Sequence, residues 1–303
     1  MPRLYVLGNF TIDDVIYHGS SAWWDVPGGN VLYSAAGART WLSEVGLLAR
    51  LGRDYPDAHL RTLADSGFVL GLRRVDRPNI HTWALYEAGA SRFVNHIDSG
   101  GHHDMSIRQE EIDESHRRAE AYHLASMPTD IQLDLVRALK RPDNLVSLDP
   151  HVDYLHRGDA ALEGILRIVD CFLPSREEAR LAYGADRPEE AARSFAAAGP
   201  RAVAIKLADE GSLVYDRGAA RLVYVPAIDV AVIDVTGAGD AYCGGFLAGM
   251  LLTGDPVEAA LYGTVSASYT VESRGALGVA IAPAEASRSR LAALRATVSV
   301  QQH

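Results

Sequence analysis

Short segments rich in β-branched and apolar residues recur along this chain with helix-like stretches between them, and that alternation is what most restricts its fold. The segments "RLYVLG" (3–8), "EVGLLARLG" (44–52), "AEAYHLAS" (119–126), "NLVSLDP" (144–150), "VDCFLPS" (169–175) and "RAVAIKL" (201–207) read as buried strands. Between them, "PDAHLRTLADSG" (56–67), "TDIQLDLVRALK" (129–140) and "PEEAARSFAAAG" (188–199) carry helical spacing, the last two opening on good starters and the first and last closing at Gly. The pattern predicts a mostly parallel sheet covered by helices on both faces. Two stretches break the rhythm, about 9–27 and 76–100; both are rich in aromatic, Thr and Val residues with turn formers, which predicts short antiparallel strands. The economical arrangement is one domain over 1–303 with a small β flap, built from these two excursions, closing over the mouth of the main sheet.

Composition removes several function classes. The 303 residues include 29 basic and 39 acidic side chains, a formal charge of −10, and no Lys/Arg block occurs, so nothing here grips a nucleic-acid backbone. Cys171 and Cys243 are far apart and set among apolar neighbours, which predicts a reducing, cytoplasmic setting rather than a disulfide framework. The N-terminal "MPRLYVLGNF" does not read as an export signal, and no run of about 18 apolar residues is present to cross a membrane. The histidines of "GHHD" (101–104) lack a helical or finger spacing and are read as a solvated loop rather than a metal site.

The chemistry concentrates in "DVTGAGDAYCGGFLAGML" (234–251). After the strand-like "VAVI" (230–233), Thr236 to Gly239 predict a tight turn, and helical spacing begins near Ala238. The first N–H groups of such a helix have no intrahelical acceptor, and with the positive end of the helix dipole they hold an anion. Gly237, Ala238 and Gly239 leave room for it, and Gly tolerates the positive φ that a cradle of N–H groups often requires. Asp240 stands in the first helical turn, where a carboxylate either stabilises the helix terminus or accepts a proton from an attacking hydroxyl. The turn is neither a Walker loop, since no Lys-Ser/Thr follows, nor an early dinucleotide fingerprint.

"DVTGAGD" resembles the D-T-x-G-A-G-D signature of the PfkB (ribokinase-like) family of carbohydrate and nucleoside kinases, with Val235 in place of the usual Thr. "PGGNVLYSAAGA" (27–38) resembles the family's Gly-Gly signature opening the first long helix. "LGNFTIDD" (7–14), "LPSREEA" (173–179), "IKLADEGSLVY" (205–215) and "ASYTVESRGALG" (267–278) follow in the expected order. The resemblance implies a Rossmann-like α/β domain with a β-sheet lid, ATP with Mg²⁺, and a small sugar or sugar-like polyol as acceptor. It makes Asp240 the catalytic base, with Gly237, Ala238 and Gly239 as the anion hole. Asp13, Gly28, Gly29 and Tyr33 would meet the acceptor; Lys206, Gly211, Thr236, Gly237 and Gly239 would line the nucleotide. Glu178 would organise Mg²⁺ through water, and Asp234 with Thr236, together with the loop near 274–278, would contribute to a monovalent-cation (K⁺) site.

Three positions depart from the family pattern: Ser175 replaces the Asn of the Mg²⁺ motif, Ala208 stands where Gly is common, and Tyr33 replaces the Asn of ribokinase- and fructokinase-type enzymes. An aromatic ring at 33 alters the size and hydrogen bonding of the acceptor pocket. Trp23, Trp24 and Arg92 of the flap are candidates for closing over the acceptor, and the tryptophans are better suited to packing the flap or a homodimer contact through it. Two other functions compete: a nucleoside kinase with the same machinery, its base stacked on Tyr33 and the flap aromatics, and a non-catalytic nucleotide or sugar sensor.

Overall fold

The structure is a computed structural model that describes residues 1–17, 21–87, 90–156, 158–276 and 284–301; the side chains of 87, 90–93 and 299–301 also lie outside the description. Nine strands make the main sheet: β1 (Leu4–Leu7), β4 (Val45–Leu51), β5 (Phe68–Arg74), β8 (Ala121–Leu124), β9 (Leu145–Leu148), β10 (Cys171–Phe172), β11 (Ala202–Lys206), β12 (Gly211–Asp216) and β13 (Arg221–Pro226). Their order is β13-β12-β11-β10-β9-β8-β1-β4-β5, parallel from β11 through β5 and antiparallel in the β11–β12–β13 edge. All six strands expected from the sequence are present.

Alternation along the strands sorts the core into two layers. Leu4, Val6, Leu47 and Ala204 join Leu32 of helix α1 (Asn30–Arg39), Phe246 of α8 (Ala238–Thr253) and Val265 of α9 (Pro256–Val271). Tyr5, Leu7, Leu48, Val203 and Ile205 face the other way, onto Leu135 of α4 (Thr129–Leu139), Ile165 of α5 (Ala160–Leu166) and Phe195 of α7 (Pro188–Ala198). The mostly parallel, doubly covered sheet is therefore the observed architecture. Helix α2 (Asp57–Asp65) lies where "PDAHLRTLADSG" predicts it, α6 (Arg176–Tyr183) follows β10, and α3 (His102–Met105) is a single turn.

The flap is a four-stranded sheet of order β3-β2-β6-β7, from β2 (Thr11–Tyr17), β3 (Ala22–Gly28), β6 (Ile80–Glu87) and β7 (Ala90–Asn95). Each excursion forms an antiparallel hairpin as expected, but the central pair β2–β6 runs parallel, from Thr11↔Ile80 to Tyr17↔Tyr86. Both excursions send their first strands out in the same direction, so those strands can only pair in parallel. That register sets Tyr17 beside Tyr86, their rings stacked 5.3 Å apart.

Two local expectations are corrected. Residues 230–233 form no strand: Val232 and Ile233 are exposed, and the Ile233 and Asp234 amides donate to the carbonyl of Val271 instead of a ladder. Apolar side chains alone do not make a strand here, because the segment's amide bonds go to the end of α9 rather than to a neighbouring strand. The "GHHD" segment is not a solvated loop but opens α3, with His102 packed edge-on to His151 at 5.0 Å.

Candidate active site

The parallel strands deliver their polar groups at their C-terminal ends, the edge at which open α/β sheets bind ligands. Asp149 follows β9, Lys206 ends β11, and Ser175 and Glu178 open α6 directly after β10. A cavity of about 910 Å³ lies over this edge, and its wall includes Asp149, Glu178, Lys206, Gly211, Gly239 and Asp240.

Helix α8 enters from the side. Gly237 caps it in the left-handed region at φ +71°, and among the described residues no side chain bonds its first amides. This sets α8 apart from α9, where Asp255 accepts from the amides of Val257 and Glu258, and from α6, where Ser175 and Glu178 close a reciprocal capping box. The Ala241 amide reaches back to the Gly237 carbonyl at 2.8 Å, so regular helix bonding starts only after Asp240. The amides of Gly239 and Asp240 thus stand at the positive end of a 16-residue helix without an intrahelical acceptor. Ala238, Gly239 and Asp240 all face the cavity.

Asp240 is half-buried, and burial pushes its carboxyl up to about 6 although Lys206 pulls it down; Glu178 adds to the rise. Lys206 donates to both oxygens of Asp149 at 2.7 Å, and its Nζ lies 3.5 Å from Cys243 Sγ. Burial works against the ammonium charge, but Asp149 outweighs it and holds the Lys206 pKa well above its ordinary value. The sequence reading passed over Asp149, taking "NLVSLDP" only as a strand. Its usable signal was a carboxylate, followed by Pro150, at the exit of a buried strand.

Glu178 fronts the cavity with one oxygen committed, since Oε2 accepts from the Ser175 amide at 2.6 Å. Ser175 spends its hydroxyl on the Glu178 amide at 3.2 Å. Ala208 lines the cavity at φ +55°, a left-handed conformation that costs a non-glycine residue about 1 kcal/mol.

The remaining predicted residues gather on the flap side. Tyr33, on α1, is buried, and its ring packs so tightly on the Gly237 backbone that a Cβ at 237 would meet it at 2.1 Å. Burial first, then the charges of Asp13, Asp234 and Asp240, pushes its phenol well above 10. Asp13, on β2, is raised to about 7, chiefly by burial, with Thr11 opposing and Asp14 and Asp234 adding to the rise. Gly28 leaves the space that Asp13 occupies, since a Cβ there would fall 1.9 Å from Oδ2, and Gly29 opens α1 at φ +103°.

Asp234 Oδ1 accepts from the Thr236 amide at 2.9 Å and from its hydroxyl at 2.6 Å. The Thr236 hydroxyl also bonds the Tyr86 phenol, which joins the flap to the glycine turn. Arg274 lies over the Trp23 ring at 4.6 Å. Residues 277 and 278 of the expected cation loop, and the side chain of Arg92, lie outside the described residues.

Residues 3–281 match the pfkB family of carbohydrate kinases. The chain belongs to this family. Among curated relatives, it is 29% identical to a cytidine kinase of Thermococcus kodakarensis over 262 residues, covering 85% of this chain and 91% of that protein. Its fold resembles a putative ribokinase II from E. coli, solved in complex with ATP and Mg²⁺ (TM-score 0.79, 18% identity, all of both chains), and a Methanocaldococcus jannaschii nucleoside kinase (TM-score 0.75, 19% identity, 96% of this chain and 99% of that one). The pfkB match spans both halves of the site, from Asp13 to Asp240.

Proposed function

We propose that this pfkB-family kinase transfers a phosphoryl group from ATP to a hydroxyl of a small sugar or nucleoside, with Asp240 as the base. The observation that carries the reading is the start of α8. Amides without a side-chain cap, a carboxyl raised to about 6 and the Lys206 ammonium meet there at the end of a cavity large enough for a nucleotide.

At neutral pH a carboxyl with that pKa is mostly ionised yet basic enough to take the acceptor's proton as the new bond forms. The Gly239 and Asp240 amides, with the dipole of α8, stabilise the negative charge of the group in transfer. Asp13 and the Gly28–Gly29 backbone orient the acceptor. Hydroxyls donating to Asp13 favour its ionised form, which strengthens that grip.

The cavity wall carries seven carboxylates against two cationic side chains, and one of those, Arg176, is paired with Glu210 at 2.7 Å. A polyphosphate needs a further cation in such a place. Among the described residues no cluster of three ligating side chains is close enough to hold a metal by itself. Carboxylates without a preformed cage fit Mg²⁺, which is ordinarily held by one or two carboxylates together with substrate phosphates. Glu178 and Asp240 are the residues that would hold it, directly or through water, and bound there it would neutralise phosphate charge; both oxygens of Asp149 are taken by Lys206. We assign a K⁺ role to Asp234 and Thr236 on the family resemblance.

The flap would act as a lid, closing through Tyr86 on Thr236 and excluding water from the transfer. Its exposed Trp24 and Trp83 suit a homodimer contact, and the buried, unpaired Cys171 and Cys243 suit the cytoplasm. A nucleoside acceptor is favoured by the 29% identity to the cytidine kinase, whereas the Tyr33 ring, buried against Gly237, is not open to stack a base. The test is ADP release measured across sugars, cyclitols, ribose phosphates and nucleosides. Acceptor-dependent turnover with one class supports the kinase and names its substrate, whereas ATP binding without turnover on any class would leave a sensor.

A further inference from the structure

The chain has two lysines among its 29 basic residues, Lys140 and Lys206; every other basic side chain is Arg. Both lysines are ion-paired with an aspartate, Lys140 with Asp170 at 2.6 Å and Lys206 with Asp149 at 2.7 Å. Lys206 is the one at the cavity. A sequence that uses Arg almost everywhere keeps a compact point charge at this position, where a guanidinium would be larger and could not pack along Gly239 in the same way.

The three N–H bonds of Lys206 are not equivalent. Two are directed at the Asp149 carboxylate, whose side chain is 4% exposed, while the third has only Cys243 Sγ at 3.5 Å. A Cβ at Gly239 would lie 3.7–3.9 Å from the last carbons and Nζ of Lys206, so the ammonium runs alongside the start of α8. Asp149 therefore fixes both the direction and the charge of Lys206 and leaves its weakest contact to be exchanged for a phosphate oxygen. We propose that Asp149 is a positioning residue for phosphoryl transfer: it holds the Lys206 ammonium at the cavity wall beside Gly239, where it meets the phosphates of bound nucleotide, an inference that rests on the kinase reading above.

The groups that face Lys206 are Asp149 after β9, Glu178 on α6, Asp240, Tyr242 and Cys243 on α8, and His123 on β8. His123 is fully buried and neutral, and Glu178 and Asp240 act from the cavity side. Among the described residues Asp149 is the one carboxylate bonded to the ammonium. Without it, the Cys243 contact alone would direct Lys206.

Two lysines make the test direct. In protein carrying ¹⁵N-labelled lysine, two side-chain amine signals appear, and Lys140→Arg assigns them. Addition of ATP with Mg²⁺ to the wild type should shift the Lys206 signal and leave Lys140 in place; an unmoved Lys206 signal under saturating nucleotide overturns the proposal without requiring any variant to fold. In Asp149→Asn the Lys206 signal should move from its wild-type position and the KM for ATP should rise about tenfold or more while kcat changes less, with Asp149→Glu restoring much of both. A Lys206 signal and a KM for ATP that both stay at their wild-type values in Asp149→Asn contradict the assignment. Failure of the kinase reading would show separately, as a wild type that turns over no acceptor while its Lys206 signal still responds to nucleotide.

Discussion

On the cavity side of the site the charged groups sit at the ends of central strands or in the first turns of helices, and Lys206 and Asp149 neutralise each other at 2.7 Å. On the flap side the carboxylates of Asp13 and Asp234 sit among the phenols of Tyr17, Tyr33 and Tyr86; the cation there, Arg274, lies over the rings of Tyr17 and Trp23 rather than on a carboxylate. Burial drives Asp13 to about 7 and Tyr86 to about 12; on the cavity side it raises Asp149 too, to about 8, but there Lys206 opposes it. The contrast fits two different tasks. Under the proposed function, a polyphosphate would be gripped through charge and backbone amides that need little movement, whereas a neutral acceptor would be gripped by carboxylates that its own hydroxyls must complete.

The two glycines of the turn separate these halves most sharply. Gly237→Ala places a methyl into the Tyr33 ring and forces a side chain to φ +71°, which should cost about 2–5 kcal/mol of stability together with most activity. Chemical denaturation followed beside turnover would read both losses. At Gly239 a Cβ meets only Lys206 at ordinary contact distance, inside a helix. Gly239→Ala should therefore raise stability, by up to about 1 kcal/mol, while turnover falls at least about tenfold because the methyl stands where a phosphate must approach. Equal losses of stability in both variants would erase the distinction.

Proton uptake offers a second separation. Both carboxyls are raised by burial, so each binds its proton at a higher pH than an ordinary carboxylate near 4. Difference titration of ligand-free wild type against Asp240→Asn should show one proton taken up near pH 6, and against Asp13→Asn one near pH 7. Uptake near 4 in either case would show that the group is well solvated. The sign for activity follows: turnover falls as pH drops through these values, because both groups work ionised.

The smallest effect belongs to the cavity rim. Ala208 holds φ +55° with no compensating side-chain bond, so Ala208→Gly should stabilise the protein by about 1 kcal/mol and leave the acceptor KM unchanged. A thermal melt checks it, and a loss of stability would contradict the strain.

The cavity half was the more legible of the two in the sequence. Strands such as "RAVAIKL" are buried on both faces, which gives long apolar runs with clear ends, and the glycine turn announces an uncapped helix start. Asp149 escaped because an aspartate leaving a strand looks like any turn former until Lys206, 57 positions later, is brought against it. The flap half was legible as a sheet but not in its pairing. Tyr17 and Tyr86 meet only because β2 and β6 pair in parallel, a register set by where the two excursions leave the main sheet. The apolar "VAVI" misled for a related reason: it is held by amide bonds to the end of α9 rather than by a neighbouring strand.

The account turns on Asp240 taking the acceptor's proton while its neighbouring amides hold the phosphoryl group. Single-turnover rate and ATP affinity, measured together in Asp240→Asn with the acceptor identified by the substrate panel, test this directly. The account predicts a rate lower by about 10²–10⁴-fold with nucleotide affinity within a few-fold of wild type. A variant that transfers phosphoryl at near-normal rate would contradict it.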